Sequence, residues 1–98
     1  MTTIKEKVKG HIPTLMVFHH DGNKDAFNTA EVVEELRTKY AGKANIEPYD
    51  CTHNGQVKVE YHLHEYPSFV LFKEGQELMR ESGKKSIAQL SDMIDRAL

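Results

Sequence analysis

Residues 66–75 read Tyr66-Pro67-Ser68-Phe69-Val70-Leu71-Phe72-Lys73-Glu74-Gly75. The apolar run from Ser68 to Phe72 has the length of a buried strand, and Pro67 fixes how the chain enters it. The turn residues Lys73-Glu74-Gly75 lead into a second run, Gln76-Glu77-Leu78-Met79-Arg80. Two short runs joined by a glycine-containing turn predict an antiparallel hairpin.

A central strand and a long helix are predicted before this hairpin. The uninterrupted apolar run from Thr14 to Phe18 predicts a central strand, because buried parallel strands carry apolar residues on both faces. Apolar residues then recur at three- and four-residue steps from Ala26 to Tyr40, which predicts a helix that stops at Gly42. Its start stays open, since three residues could cap it: Asn23, Asp25 and Asn28.

The remaining elements are shorter. Residues 44–51 alternate like a strand, but Pro48 cannot donate to a ladder and favours an edge or a bulge. A first helix capped by Thr2 or Thr3 should end before Pro13. Two more helices are predicted around Val57, Val59 and Leu63, and after a capping box formed by Ser86 and Gln89.

Composition limits the class of protein. Ninety-eight residues, 39% hydrophobic and 29% charged, predict one soluble globular domain without a membrane segment. We expect a monomer, because Pro48 and the charges of Lys43 and Glu47 oppose pairing at the predicted edge strand. A net charge of -2 with interspersed signs argues against nucleic-acid binding. The charged N-terminus lacks the apolar run of a signal peptide, so we expect a cytoplasmic protein. The single cysteine, Cys51, cannot form an internal disulfide.

The order of these elements, with an X-Pro opening the hairpin, resembles the thioredoxin fold. Three local motifs match the family as well: residues 66–75, Tyr40-Ala41-Gly42-Lys43 and Tyr49-Asp50. The resemblance implies an α/β domain over residues 1–98, with a mixed four-stranded sheet flanked by helices. Two parallel strands and the C-terminal antiparallel hairpin make up this sheet. Residues 1–12 form only a short helical segment and leave little room for the family's outer strand, so we expect residues 44–50 at a sheet edge.

The residues that carry thioredoxin chemistry are missing. The family's Cys-Gly-Pro-Cys falls on Asn23-Lys24-Asp25-Ala26, its buried aspartate on Val17 and the accompanying lysine on Pro48. Thiol–disulfide exchange needs one thiolate to attack and a second thiol to resolve the mixed disulfide. We therefore expect no enzymatic activity and no cofactor, but a redox-inactive module that binds a protein or peptide or acts as a scaffold.

The resemblance also implies where a partner would bind. The loop after the first strand should lie beside the proline loop, where the family has a cis-proline and the preceding residue offers its backbone to an extended peptide. The predicted interaction surface comprises His20, Asp21, Asn23, Ala26, Tyr66, Pro67 and Gly83. Simpler interpretations stand beside this one: Asn23 or Asp25 caps the helix, and Pro67 only shapes the entry to the strand.

Two alternatives use other residues. Cys51 could support a monothiol or redox-linked activity, although nothing in the sequence places a base or a helix dipole beside it. Metal binding would draw on five of the histidines: His19, His20, His53, His62 and His64. No spacing among them fixes a coordination geometry, which favours solvated surface histidines and no metal site.

Overall fold

The structure is a computed structural model that describes residues 4–20 and 29–98. The elements are α1 (Ile4–Val8), β1 (Thr14–His19), α2 (Thr29–Lys39), β2 (Asn45–Asp50), α3 (Gly55–Glu60), β3 (Ser68–Lys73), β4 (Gln76–Ser82) and α4 (Ile87–Asp95). Their order is the predicted one. The predicted caps Thr2, Thr3, Asn23, Asp25 and Asn28 lie outside the described residues, as does the whole Asn23-Lys24-Asp25-Ala26 stretch.

The four strands form one mixed sheet in the order β2-β1-β3-β4. β1 pairs in parallel with β2 and antiparallel with β3, which forms the antiparallel hairpin with β4. This confirms the predicted fold class. β1 is central, and its residues from Thr14 to Phe18 are all buried, as the uninterrupted apolar run requires.

The sheet separates two apolar layers because successive side chains of a strand point to opposite faces. Leu15 and Val17 of β1 pack with α2 and α4 on one face, in a cluster that includes Leu36, Leu90 and Ile94. Met16 and Phe18 pack on the other face with residues of α1, α3 and the following loop, among them Val8, Val57 and Leu63. Fully burying each such side chain contributes about 1.5–3 kcal/mol.

Side-chain hydrogen bonds fix the start of α4 and join α4 to α2. Ser86 Oγ accepts from the Gln89 N–H at 3.1 Å, and the Ser86 N–H donates to Gln89 Oε1 at 2.9 Å, which confirms the predicted capping box. At the end of α2, the Tyr40 hydroxyl donates to Asp95 Oδ1 at 2.7 Å and lies 3.0 Å from the Ser91 carbonyl oxygen. The helix layer over this face of the sheet is thereby tied together.

The short helix α3 contains Val57 and Val59 as predicted, but it ends before Leu63. Val57 is buried, whereas Val59 is 74% exposed, and the buried Leu63 lies beyond the last residue of the helix. A residue two positions along a helix lies on the opposite side, so Val57 and Val59 cannot both face the core.

No helix in the described part of the chain is long and apolar enough to cross a bilayer.

β2 lies at one edge of this sheet, as Pro48 predicted. The N–H groups of Asn45 and Cys51 donate to the carbonyls of Pro13 and His19 on the β1 side, at 2.9 and 2.7 Å. Alternate residues of β2 therefore direct their backbone groups toward β1, and the residues between them face outward. Pro48 is one of the outward-facing residues, so its missing N–H leaves no carbonyl of β1 without a donor.

Candidate functional site

The proline loop occupies the entry to β3. The Tyr66–Pro67 peptide bond is cis, which is the isomer that the resemblance implies. Pro67 is buried, and its carbonyl oxygen accepts the Gly83 N–H at 2.8 Å. Gly83 has a φ of +83°, which side chains other than glycine adopt only with strain. The two ends of the hairpin are thus held together directly beside Tyr66.

Tyr66 also meets the end of β1. Its ring centroid lies 5.5 Å from that of His20, with the two planes at 31°. Both side chains are half-buried, so part of each ring faces solvent. An aromatic ring and an imidazole in contact form a rigid, amphipathic patch of the kind that interfaces use.

Tyr66 also packs against the cluster that contains Cys51, the only cysteine of the sequence. The Tyr66 side chain is hydrogen-bonded to Cys51, the residue after β2, whose exposed fraction is 2%. Burial and the neighbouring thiol raise the pKa of the Tyr66 hydroxyl to about 12. Burial likewise raises the pKa of the Cys51 thiol, with a further contribution from the Asp50 carboxylate, although the Tyr66 hydrogen bond acts in the opposite direction. At neutral pH the sulfur is therefore a protonated thiol.

The structure brings together four residues of the predicted surface, and we call these the proline-loop surface: His20, Tyr66, Pro67 and Gly83. The other three, Asp21, Asn23 and Ala26, lie outside the described residues. The Glu65 carboxylate lies beside Gly83, with its Oε1 3.4 Å from the point where a Cβ on Gly83 would lie.

Comparisons with known proteins agree with this geometry. Residues 27–96 match the family model described as Thioredoxin. The chain belongs to the thioredoxin family. It is 33% identical over 67 residues to Thioredoxin C-2 of Corynebacterium nephridii and 32% identical over 69 residues to a thioredoxin of Staphylococcus aureus.

These alignments cover 68% and 70% of this chain but only 62% and 66% of the two relatives, so each spans just under two thirds of the thioredoxin it matches. Among solved structures, the crystal structure of a designed protein superimposes with a TM-score of 0.79 at 22% identity. The superposition covers 95% of this chain and 87% of the other, which supports the fold alone.

The histidines of this thioredoxin-family chain are spread over separate places. His19 and His53 lie near the Asp50 carboxylate, while His62 lies near Glu77 on the hairpin. Asp50 Oδ1 accepts hydrogen bonds from the N–H and hydroxyl of Thr52, at 2.9 and 2.6 Å, and these lower the pKa of the carboxyl. Within residues 4–20 and 29–98, no group of three or more potential ligands is placed to hold a metal ion.

Two features of this thioredoxin-family site escaped the sequence analysis: the Tyr66–Cys51 hydrogen bond and the position of Glu65. Cys51 and Tyr66 are fifteen positions apart in the sequence, and only the folding of the chain brings the end of β2 and the proline loop into one cluster. A half-buried tyrosine needs a partner for its hydroxyl, which is the signal that could have directed attention to a nearby polar atom.

Proposed function

We propose that this thioredoxin-family domain is redox-inactive and binds an extended protein segment at the proline-loop surface. The observation that carries the proposal is that its one cysteine, Cys51, is buried in the core rather than exposed at the start of a helix. Dithiol exchange requires two thiols, and the sequence contains one. A thioredoxin fold without a dithiol can still bind a protein segment, and binding is therefore the function best supported.

The monothiol alternative has less support. A nucleophilic cysteine needs an accessible sulfur and a lowered pKa, which arises beside cations or a helix N-terminus. Cys51 has a buried sulfur and a raised pKa, and the charge that contributes to this shift is the carboxylate of Asp50. Both properties suppress the thiolate that would attack a disulfide.

The proline-loop surface suits an extended segment for two reasons. Its backbone is held rigidly by the Gly83–Pro67 hydrogen bond, so little ordering cost accompanies binding there. Its half-buried Tyr66 and His20 rings offer apolar area with polar edges, and tyrosine is enriched among residues that dominate binding energy. The resemblance to thioredoxins implies the same location for a bound peptide.

A disulfide-reduction assay tests the redox half of the proposal. With insulin, thioredoxin reductase and NADPH, we expect no turnover above the protein-free rate. The double variant Asn23→Cys/Ala26→Cys should show measurable but poor reduction, which demonstrates that the assay detects a dithiol on this scaffold. Turnover by the natural chain that Cys51→Ser abolishes would replace the proposal with a monothiol activity.

The binding half is tested with a displayed library of random 12-residue peptides selected against the full chain. Peptides that bind the proline-loop surface should shift the backbone amide signals of His20, Tyr66 and Gly83 in NMR spectra. Tyr66→Ala should weaken these peptides by about 1–2 kcal/mol, roughly five- to thirtyfold. The control Val59→Ala, on the exposed side of α3, should leave affinity unchanged. A selection without any peptide at this surface contradicts the proposal.

A further inference from the structure

We infer that the segment bound at the proline-loop surface carries a basic residue, which pairs with the carboxylate of Glu65. This inference rests on the proposed function, because it names the chemistry of the segment that would bind there. Three observations support it: the position of Glu65 beside Tyr66, the contact between its carboxylate and Gly83, and the lack of an ion pair to this carboxylate within the described residues.

The backbone of Glu65 is fixed at the start of the proline loop, directly before Tyr66. Its carbonyl oxygen accepts a hydrogen bond of 2.5 Å from the hydroxyl of Ser68, which is buried at the start of β3. The point from which the Glu65 side chain departs is therefore held by a residue of the sheet.

The carboxylate of Glu65 lies against Gly83, the residue after β4. Its Cδ and its two oxygens are 3.4–3.6 Å from the point where a Cβ on Gly83 would lie. The N–H of the same glycine donates to the Pro67 carbonyl at 2.8 Å. The fold thus places a negative charge at the edge of the proline-loop surface.

Several carboxylates of the chain are neutralised by cations, whereas this one is not. Glu47 lies 3.3 Å from Lys7, and Asp92 lies 2.8 Å from Arg96. Among the described residues, no lysine, arginine or histidine forms an ion pair with Glu65, whose side chain is exposed. Its charge is therefore available to a partner.

An arginine of the segment matches this site best. A guanidinium donates parallel hydrogen bonds to both oxygens of a carboxylate, and its planar face stacks on aromatic rings such as that of Tyr66. A lysine supplies the charge without the second donor. A bound segment also excludes water from the surface, which strengthens the attraction beyond that of an exposed ion pair.

The cations nearest in sequence to Gly83 do not favour an acidic segment instead. Lys85 lies 3.9 Å from Glu81 and is already paired. Lys84 is exposed, and its long side chain must be ordered before it can bind an anion, which costs conformational entropy. Glu65 has a shorter side chain that already rests against the backbone of Gly83.

The library peptides that shift the amide signals of His20, Tyr66 and Gly83 test this inference. We expect arginine or lysine to be enriched among them. Glu65→Gln should weaken these peptides at least about fivefold, and replacing the basic residue of the peptide by glutamine should remove the difference between the two proteins. The control Glu35→Gln removes an exposed carboxylate of α2, and affinity should stay within about twofold.

Salt and a charge of the opposite sign give two further readouts. Raising NaCl from about 50 to about 500 mM should weaken binding to the natural chain more than binding to Glu65→Gln, because salt screens the ion pair. Lys84→Gln should bind the basic peptides at least as tightly as the natural chain, since it removes a repulsive charge.

Three results would overturn the inference and leave the proposed function intact: peptides at the proline-loop surface without a basic residue, acidic peptides that Lys84→Gln weakens, or unchanged affinity in Glu65→Gln. If no peptide binds the proline-loop surface, the proposed function itself fails, and this inference fails with it.

Discussion

Arg37 Nε donates a hydrogen bond of 2.9 Å to the backbone carbonyl of Ile46. Ile46, Pro48 and Asp50 are the residues of β2 whose backbone groups face away from β1, so the guanidinium of Arg37 occupies an acceptor that a further strand would need. Pro48 removes a donor at the next outward position. Glu47 lies 3.3 Å from Lys7 and 3.8 Å from Arg37. The β2 edge is thus closed by a side chain and a proline.

Pro48→Val should increase self-association. The substitution restores an outward N–H and a side chain with high strand propensity, while the ladder to β1 is unaffected. The double variant Pro48→Val/Arg37→Ala should associate more strongly than either single variant, because the Ile46 carbonyl is released as well. Size-exclusion chromatography with light scattering between 10 and 500 µM, roughly the range of weak strand pairing, measures this.

Lys58→Ala, at an exposed position of α3, serves as the control. This variant should stay monomeric, as we expect of the natural chain. Unchanged association in the double variant, with the fold intact by circular dichroism, would show that Arg37 and Pro48 do not protect this edge.

Sequence reasoning located this edge but not its protection by Arg37. Pro48 is incompatible with a central strand, and that local rule needs no knowledge of the rest of the molecule. The Arg37 contact depends on where α2 lies across the sheet, which periodicity alone does not define. The same holds for the site: Tyr66, Pro67 and Gly83 follow from a recognisable motif, while the Tyr66–Cys51 contact and the position of Glu65 depend on packing between separate elements.

Cys51 should react slowly with thiol reagents. At pH 8 we expect its labelling by a disulfide reagent to be about a hundredfold slower in the folded chain than in denaturant, because burial requires a local opening before attack. Tyr66→Ala removes a ring that packs against the cluster containing Cys51, and it should accelerate labelling at least about tenfold. Tyr66→Phe keeps the ring, and the lost hydrogen bond leaves the thiol pKa higher still, so labelling should be no faster. Equal acceleration by both variants would show that packing of the ring does not protect the sulfur.

The free energy of unfolding should fall at alkaline pH because Cys51 and Tyr66 lose their protons. Folding raises the pKa of the Cys51 thiol above its value in the unfolded chain, which is near 8.5. The thiol therefore contributes fully to the free energy of unfolding below that pH, and the contribution is lost as the pH rises toward the pKa of the folded state. Tyr66, with a pKa raised to about 12, extends the loss above pH 10. Urea unfolding from pH 7.5 to 9.5 should show a decrease of at most about 1.4 kcal/mol per pH unit. Cys51→Ala should flatten this slope, and an identical slope in the variant would contradict the assignment.

Tyr40→Phe should destabilise the fold by about 1–2 kcal/mol, because the variant loses the hydroxyl that bonds to Asp95 and Ser91 between α2 and α4. Tyr61→Phe is the matched control, since the Tyr61 hydroxyl makes no hydrogen bond within the described residues, and it should change stability by less than about 0.5 kcal/mol. Both free energies of unfolding come from urea titration at pH 7. Equal stability of the two variants would mean that apolar packing of the Tyr40 ring, and not its hydroxyl, joins the helices.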